Sequence, residues 1–460
     1  MTGVVAPVDV LAQLVRQLAQ SQWARPGAIA ASQHRQLRRL ARHCAAYSVQ
    51  FAQRLASAGL TADDLEGTAG FARLPVLTRR DLQSAPEHVH CRAVPPGHDR
   101  VGDARTSGST GEPVIVRRTA MTTLFWHAMV MRELEWHARD LTGRLCTVRP
   151  DAGSRSVRPS WGNPADLFAA TGPRLVVPVT TDAAQLAEWL ADFKASLLVI
   201  YPNTLDALTV FCRRGGITLP DLRQILTMSE TLSPRIRAAA AATFNAAVAD
   251  CYSSEEVGHL ALQCPVSGLY HVMAEKLLVE VLADDGSPCS AGEIGRVVVT
   301  DLHNFATPVI RYAIGDFAEV AAPCPCGRGL PTWRRIVGRE RNLVVMPDGT
   351  RHWPITGFPR CRDVAPVVQY QLIQYDRDSI EARLVVERPL SRLEEERLCA
   401  LFHNAIGHPF AMRFAYVQGR IPPGPSGKYE EFVCALPGDW PTLSASSRQH
   451  TDSRTSPRSA

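Results

Sequence analysis

The residues best suited to chemistry begin with a short stretch, Thr106-Ser107-Gly108-Ser109-Thr110-Gly111-Glu112-Pro113, in which hydroxyls and glycines are interleaved. Gly108 and Gly111 can adopt positive φ, so the backbone can close on a ligand with its N–H groups pointing inward while Ser and Thr hydroxyls add donors. That combination suits an anion, and a polyphosphate best. It is not the P-loop of nucleotide-hydrolysing proteins, because no Gly-Lys-Ser/Thr ending follows and Glu112 stands where a Lys would be expected.

Further stretches carry reactive side chains. Tyr252-Ser253-Ser254-Glu255-Glu256-Val257-Gly258 follows the strand-like Ala247 to Cys251. A carboxylate at the end of a buried strand is costly unless it holds a cation or accepts from a donor, which makes Glu256 a candidate Mg²⁺ ligand. Tyr252 could lie flat on a purine. Arg311-Tyr312-Ala313-Ile314-Gly315-Asp316 reads as a turn between strands, and Asp316 could accept from a ribose diol. Gly424-Pro425-Ser426-Gly427-Lys428 puts a lysine on a glycine-hinged loop, able to swing toward a developing negative charge. Taken singly, each of these also fits an ordinary solvated turn.

Most of the 12 cysteines sit singly in apolar segments, as Cys146, Cys212 and Cys399 do, where a reduced thiol packs like a small hydrophobe; this points to the cytoplasm. Cys324-Pro325-Cys326-Gly327-Arg328 differs. Two thiolates on a tight turn can reach one ion, and His259 with Cys264 could complete a Cys₃His tetrahedron around a structural zinc. The alternative is a reduced turn, with His259 as a core histidine.

The elements that must position these residues are of several kinds. Residues 1–95 show helical periodicity across Val8 to Leu18 and Gln33 to Ala58, a supporting helical layer, followed by an irregular stretch from Leu74 to Asp103. Over residues 96–338 strand-like runs at Arg144 to Val148, Arg174 to Val179, Ser196 to Ile200 and Leu222 to Met228 alternate with helical patterns. Such alternation means crossover units and a mostly parallel sheet, with ligands beyond the carboxyl ends of its strands. After Tyr270 the texture becomes strand-rich, as expected of a small antiparallel or barrel-like layer. Residues 339–436 read as a small α+β unit, and the Ser-, Thr- and Arg-rich tail over 437–460 is expected to be disordered. The fold class is therefore α/β: a large N-terminal domain with mostly parallel sheets plus a strand-rich layer, and a small C-terminal α+β domain.

Composition removes several function classes. At 460 residues with 45% hydrophobic and 21% charged residues, the chain has the make-up of an ordinary globular protein. Lys and Arg number 50 against 45 Asp and Glu, a surplus too small and too dispersed for a nucleic-acid surface. No run reaches membrane-spanning length, and the first residues lack the early positive charge and unbroken apolar core of a signal peptide.

Taken in order, the hydroxyl-and-glycine stretch, Tyr-x-x-x-Glu-x-Gly, Arg-Tyr-x-x-Gly-Asp, Gly338-Arg339 and the late Gly-Lys resemble the acyl-adenylate-forming superfamily, specifically the phenylacetate-CoA ligase family, from about Leu74 to Leu436. The resemblance implies an enzyme that joins an aromatic or small organic carboxylic acid to AMP and passes the acyl group to coenzyme A. Thr106, Ser107, Gly108, Ser109, Thr110 and Gly111 would embrace the β- and γ-phosphates of ATP. Ser229 and Glu230 would line the adenine site, with Tyr252 stacked on the base beside Ser253 and Ser254. Glu256 would hold Mg²⁺, Asp316 the ribose hydroxyls with help from Arg339, and Lys428 would lie against the carboxylate and α-phosphate. Lys428, Glu256 and Thr110 would thus be the catalytic set, and the small domain would rotate about Arg339 between half reactions. Some relatives are similar in carrying a zinc of the kind suggested above.

The chain departs from the family pattern at Glu112, at Ser229 where Gly is common, and at Glu340-Arg341-Asn342 where acidic residues are common. A helix over Met121 to Leu141 carries Phe125, Trp126, His127 and Trp136, which either line the acid pocket or belong to the core. Two other outcomes stay open: transfer to an amine or a carrier-protein thiol, and a non-catalytic module that holds nucleotide and zinc. The acid and the oligomeric state are not encoded in the spacing.

Overall fold

The structure, a computed structural model, describes residues 8–106, 113–339, 342–352, 361–422 and 429–436. The chain opens with helices α1 (Val8–Ser21), α2 (Pro26–Tyr47) and α3 (Val49–Ser57). The periodic stretch from Gln33 to Ala58 is broken at Ser48, whose extended backbone ends α2 and whose hydroxyl accepts from the Phe51 amide at 3.3 Å to start α3. The stretch read as irregular holds short helices α4 (Thr68–Arg73), α5 (Arg79–Ser84) and α6 (Pro86–Val89). A capping box starts α5: Thr78 and Asp81 each satisfy the other's amide.

Strands β1 (Arg100–Arg105) and β2 (Ile115–Thr119) form an antiparallel ribbon that flanks the glycine-rich stretch, and helix α7 (Ala120–Trp136) follows at once. Next come β3 (Leu145–Arg149), β4 (Ser156–Arg158), β5 (Arg174–Pro178), α8 (Ala183–Phe193), β6 (Leu197–Ile200), α9 (Pro202–Gly215), β7 (Gln224–Met228), α10 (Pro234–Phe244) and β8 (Ala247–Ser254). Strands β9 (Gly258–Gln263), β10 (Tyr270–Val272), β11 (Leu277–Leu282), β12 (Ile294–Asp301), β13 (Tyr312–Val320) and β14 (Thr332–Arg339) complete this part of the chain.

These strands, apart from the β1–β2 ribbon, make one twelve-stranded sheet in the order β11-β12-β13-β14-β10-β9-β8-β7-β6-β3-β5-β4. The run β5-β3-β6-β7-β8 is parallel. Its strands are apolar on both faces, as a covered parallel sheet requires: Leu198 and Ile200 pack with α8, α9 and α10, while Leu197 packs on the other face with Leu145 and Trp161. The strand-rich texture after Tyr270 extends this same sheet, edge to edge, through the antiparallel β8–β9 pairing.

Beyond β14 lie β15 (Val344–Val345), β16 (Arg351–His352), α11 (Cys361–Val364), β17 (Val367–Gln374), β18 (Ser379–Val386), α12 (Arg392–Ile406), β19 (Ala411–Tyr416) and β20 (Phe432–Cys434). A four-stranded sheet, β19-β18-β17-β20, packs against Leu398, Phe402 and Ile406 of α12. It meets the larger sheet's helices where Asn203 Nδ2 donates to the Tyr429 carbonyl at 3.4 Å. Among the described residues no helix is long and apolar enough to cross a membrane. The tail over 437–460 lies outside the described residues.

Candidate active site

The carboxyl ends of the parallel strands open onto two adjoining cavities. The smaller, about 220 Å³, is lined by Ser229 and Glu230 after β7, Tyr252 and Ser253 of β8, Asp316 of β13 and Arg339 at the end of β14. Asp316 is not on a turn. It lies inside β13, where Gly315 at φ +85° shifts the pairing with β12 and turns the carboxylate out of the ladder. Tyr252 donates its hydroxyl to Asp316 Oδ2 at 2.6 Å, and Arg339 Nε stands 3.4 Å from Oδ1. Burial and the Asp316 charge both push the Tyr252 phenol well above its ordinary pKa, so it stays a donor. Ser229, the residue found where the family pattern has Gly, sits at φ +70°. Glu230 accepts from the Asn203 amide at 3.1 Å, at the start of α9.

The larger cavity, about 390 Å³, shares Ser229, Ser253 and Arg339 with the first. Thr106, Ser254 and Glu256 line it together, so the start of the glycine-rich stretch and the candidate metal-binding carboxylate face one space. The Glu256 side chain is 8% exposed, with Tyr312 Oη at 3.4 Å and Arg79 Nη1 at 4.0 Å. Burial raises its pKa, the signature of a carboxylate short of compensating charge. An oxygen ligand with unmet charge suits a hard divalent cation. The loop behind Glu256 is held by buried Lys276, which donates to the Val257 carbonyl and pairs with Asp301 at 3.1 Å.

Arg79 was not singled out from sequence. It donates to Thr106 Oγ1 at 2.8 Å and stands beside Glu256, tying the two together. The Thr78-x-x-Asp81 capping box was the available signal, since it presents the first residues of α5 toward the site.

Of the aromatic side chains on α7, Trp126 lines the larger cavity. Phe125 and Trp136 are core, with the Trp136 indole donating to Gln22 Oε1 at 2.8 Å. The Trp126 ring packs at a tilt against His259, 4.3 Å between centroids. His259 is therefore in the wrong place for the cysteines: it is buried at the cavity wall, its Nδ1 has no partner among the described residues, and burial with nearby Lys276 pushes its pKa down to about 3.

The histidine that does meet them is His271. Ligand atoms of Cys264, His271, Cys324 and Cys326 all lie within 4.8 Å of one another, with Cys264 and Cys324 Sγ 3.8 Å apart and Cys326 Sγ 3.3 Å from His271 Nε2. A sulfur–sulfur edge near that length is what a tetrahedron with metal–sulfur bonds of about 2.3 Å requires. His259 and His271 differ because Cys264 follows β9 and His271 pairs across the hairpin with Leu262, whereas His259 lies five residues back along β9, roughly 17 Å at strand rise. The donor set fits zinc, and it would pin the β9–β10 hairpin to the connection between β13 and β14. The remaining predicted residues, Ser107, Gly108, Ser109, Thr110, Gly111 and Lys428, lie outside the described residues.

No family model matches the chain. Among curated proteins it is similar to the phenylacetate-coenzyme A ligase of Aromatoleum evansii, 24% identical over 341 residues covering 72% of this chain and 74% of that protein. The enzyme of the same name from Thermus thermophilus is 24% identical over 358 residues, 75% of this chain and 78% of the relative. Among solved structures, a 2-hydroxyisobutyryl-CoA ligase in its postadenylation state superposes with TM-score 0.67 at 16% identity, over 87% of this chain and 88% of that one. Against the same ligase in its thioesterification state the TM-score is 0.56. The chain's sequence relatives are thus phenylacetate-CoA ligases, and its fold is that of the acyl-CoA and AMP-forming ligases.

Proposed function

We propose that this protein is an ATP-dependent ligase that joins a carboxylic acid to AMP, releases pyrophosphate and passes the acyl group to coenzyme A. The observation that carries the reading is the shared cavity: Thr106, Arg79 and Glu256 face one space, which adjoins the Tyr252–Asp316–Arg339 group. The smaller cavity takes the adenosine, with Asp316 accepting from the ribose hydroxyls and Arg339 and Tyr252 holding that carboxylate in place. The larger one takes the acid.

The acid is already ionised at neutral pH, so its attack needs no general base. A carboxylate oxygen attacks the α-phosphorus, the bond to the bridging oxygen breaks, and pyrophosphate leaves. In the second half reaction the thiolate attacks the acyl carbon and AMP departs. Catalysis then comes from alignment and from offsetting phosphate charge. Arg79 sits where a phosphate would meet it, and by its motif the glycine-rich stretch with Thr110 supplies hydroxyl and amide donors. Magnesium bound at Glu256 would neutralise phosphate charge. Lys428, by its place in the late Gly-Lys motif, would lie against the carboxylate and α-phosphate, and the unit beyond Arg339 would move between half reactions. The higher TM-score to the postadenylation state supports this arrangement as the adenylating one.

Coenzyme A as acceptor rests on the relatives' names. Supplying coenzyme A, a carrier-protein thiol and an amine separately to preformed adenylate identifies the true acceptor. We assign zinc to Cys264, His271, Cys324 and Cys326 in a structural role, since the cluster has a full set of protein ligands and stands apart from both cavities. The free state of all 12 cysteines fits a reducing, cytoplasmic setting. The test of the whole reading is pyrophosphate release over a panel of aromatic and aliphatic acids: release must depend on added acid, and a protein that binds ATP yet releases none with any acid is a binding module instead.

A further inference from the structure

The larger cavity runs far past the reacting centre. It passes between α7 and the sheet, from Arg149 at the carboxyl end of β3 to Leu145 at its start. Four residues of strand at about 3.3 Å each make this roughly 13 Å. Val130, Leu134, Val199 and Leu226 line it beside the polar Asn163 and Glu133, and the Glu133 carboxylate is already paired with Arg139 at 2.5 Å. At the far end, at the start of β5, lies Arg174.

Arg174 is half-buried where it lines the cavity, and among the described residues its guanidinium has no partner. Its Nε is buried without a hydrogen bond, and no ion pair among the described residues engages it. The nearest carboxylate, Asp166, is already occupied by Ser160 Oγ and Thr171 Oγ1, both at 2.5 Å, and by the Gly162 amide at 3.1 Å. Across the β4–β5 ladder the residue directly opposite Arg174 is Arg158. Like charges in that position are destabilising. Burial, then Arg158 and Arg149, depress the Arg174 pKa, with Asp166 opposing them only in part. Gly162, at φ +86°, backs the guanidinium: a Cβ there would stand 3.7 Å from Nη1.

We propose that the acid activated by this protein is an elongated one bearing a second, anionic oxygen-acceptor group, such as a second carboxylate, at the end remote from the reacting carboxyl, and that Arg174 recognises that group. The proposal rests on the adenylation reading, and it narrows it to a substrate class. A planar guanidinium offers a carboxylate two parallel hydrogen bonds. A monoacid of the same length would leave the guanidinium unpaired, which a polar site rejects strongly.

The test uses matched pairs: phenylacetate against 4-carboxyphenylacetate, and octanoate against suberate. Pyrophosphate release is measured for the intact protein, Arg174→Leu and Arg174→Lys, alongside thermal shifts with each acid. The intact protein is expected to favour the diacid of at least one pair by tenfold or more in kcat/KM. Arg174→Leu brings that ratio to about one or below, and Arg174→Lys retains part of it. Without ligand, Arg174→Leu should melt no lower than the parent, because it removes the charge opposite Arg158. Equal or better turnover of the monoacids by the intact protein, or a diacid preference untouched by Arg174→Leu, overturns the proposal while leaving adenylation standing. Diacid-specific stabilisation that depends on Arg174, without pyrophosphate release, would support the anion site and count against adenylation.

Discussion

The two cavities treat their polar side chains in opposite ways. In the smaller cavity Asp316 is held by Tyr252 and Arg339, and Glu230 by the start of α9, so each group reaches its position through protein partners. In the larger cavity Arg174 Nε and His259 Nδ1 are buried with no partner among the described residues. Groups that satisfy one another are preorganised for a ligand of fixed shape. Groups left unsatisfied create a demand that only the right ligand meets.

The largest expected effect strikes the larger cavity at Glu256. Glu256→Gln keeps the side chain's shape and removes its charge, and should lower acid-dependent pyrophosphate release by roughly 10²- to 10³-fold, the scale of losing one preorganised electrostatic group. Lys428→Ala should lower it at least about 100-fold. Unaltered turnover of Glu256→Gln would show that the cavity wall at Glu256 is not the reacting centre, and unaltered turnover of Lys428→Ala that Lys428 has another role. Next is the metal cluster, which should stabilise both ends without reacting at either. Cys326→Ser should lose bound zinc by elemental analysis and destabilise the fold by about 3 kcal/mol, a typical loss for a structural ligand, whereas His259→Gln should keep its zinc.

Part of the acid lability should trace to the unpaired side, beside the share of His90 and His303, whose pKa values burial also pushes down to about 4. The His259 pKa is near 3 folded against an ordinary value of 6.5, so the unfolded chain binds the proton first. Its contribution to stability is complete above pH 6.5 and falls as pH drops toward 3, by roughly 2 kcal/mol at pH 5. His259→Gln should flatten the denaturant-measured stability profile between pH 6.5 and 5 by about that amount. The smallest effect concerns Ser229, whose positive φ strains an L-residue by about 1–2 kcal/mol. Ser229→Gly relieves this against about 0.4–1 kcal/mol of added chain entropy, so the variant should melt at or slightly above the parent temperature.

Much of this arrangement was legible in the sequence. Hydroxyl, glycine and carboxylate motifs announce themselves because few residue types can do their work, and the strand–helix alternation from Arg144 to Ala247 gave the parallel run nearly strand by strand. What failed were questions of register and direction. His259 and His271 were both in reach of Cys264 by sequence distance, and only the β9–β10 pairing decides between them. Gly315-Asp316 has turn composition, yet a bulge inside a long strand uses glycine's positive φ equally well. Arg79 was hidden because its partners, Thr106 and Glu256, are distant in sequence. Arg174 looked like the polar start of a strand until its cross-strand neighbour and the cavity were known.

The most direct test of the central claim, that one reaction spans both cavities, is exchange of labelled pyrophosphate into ATP with no thiol present. The account predicts exchange that appears only when acid is added and that Glu256→Gln abolishes. Exchange without acid, or none with any acid while ATP remains bound, would contradict it.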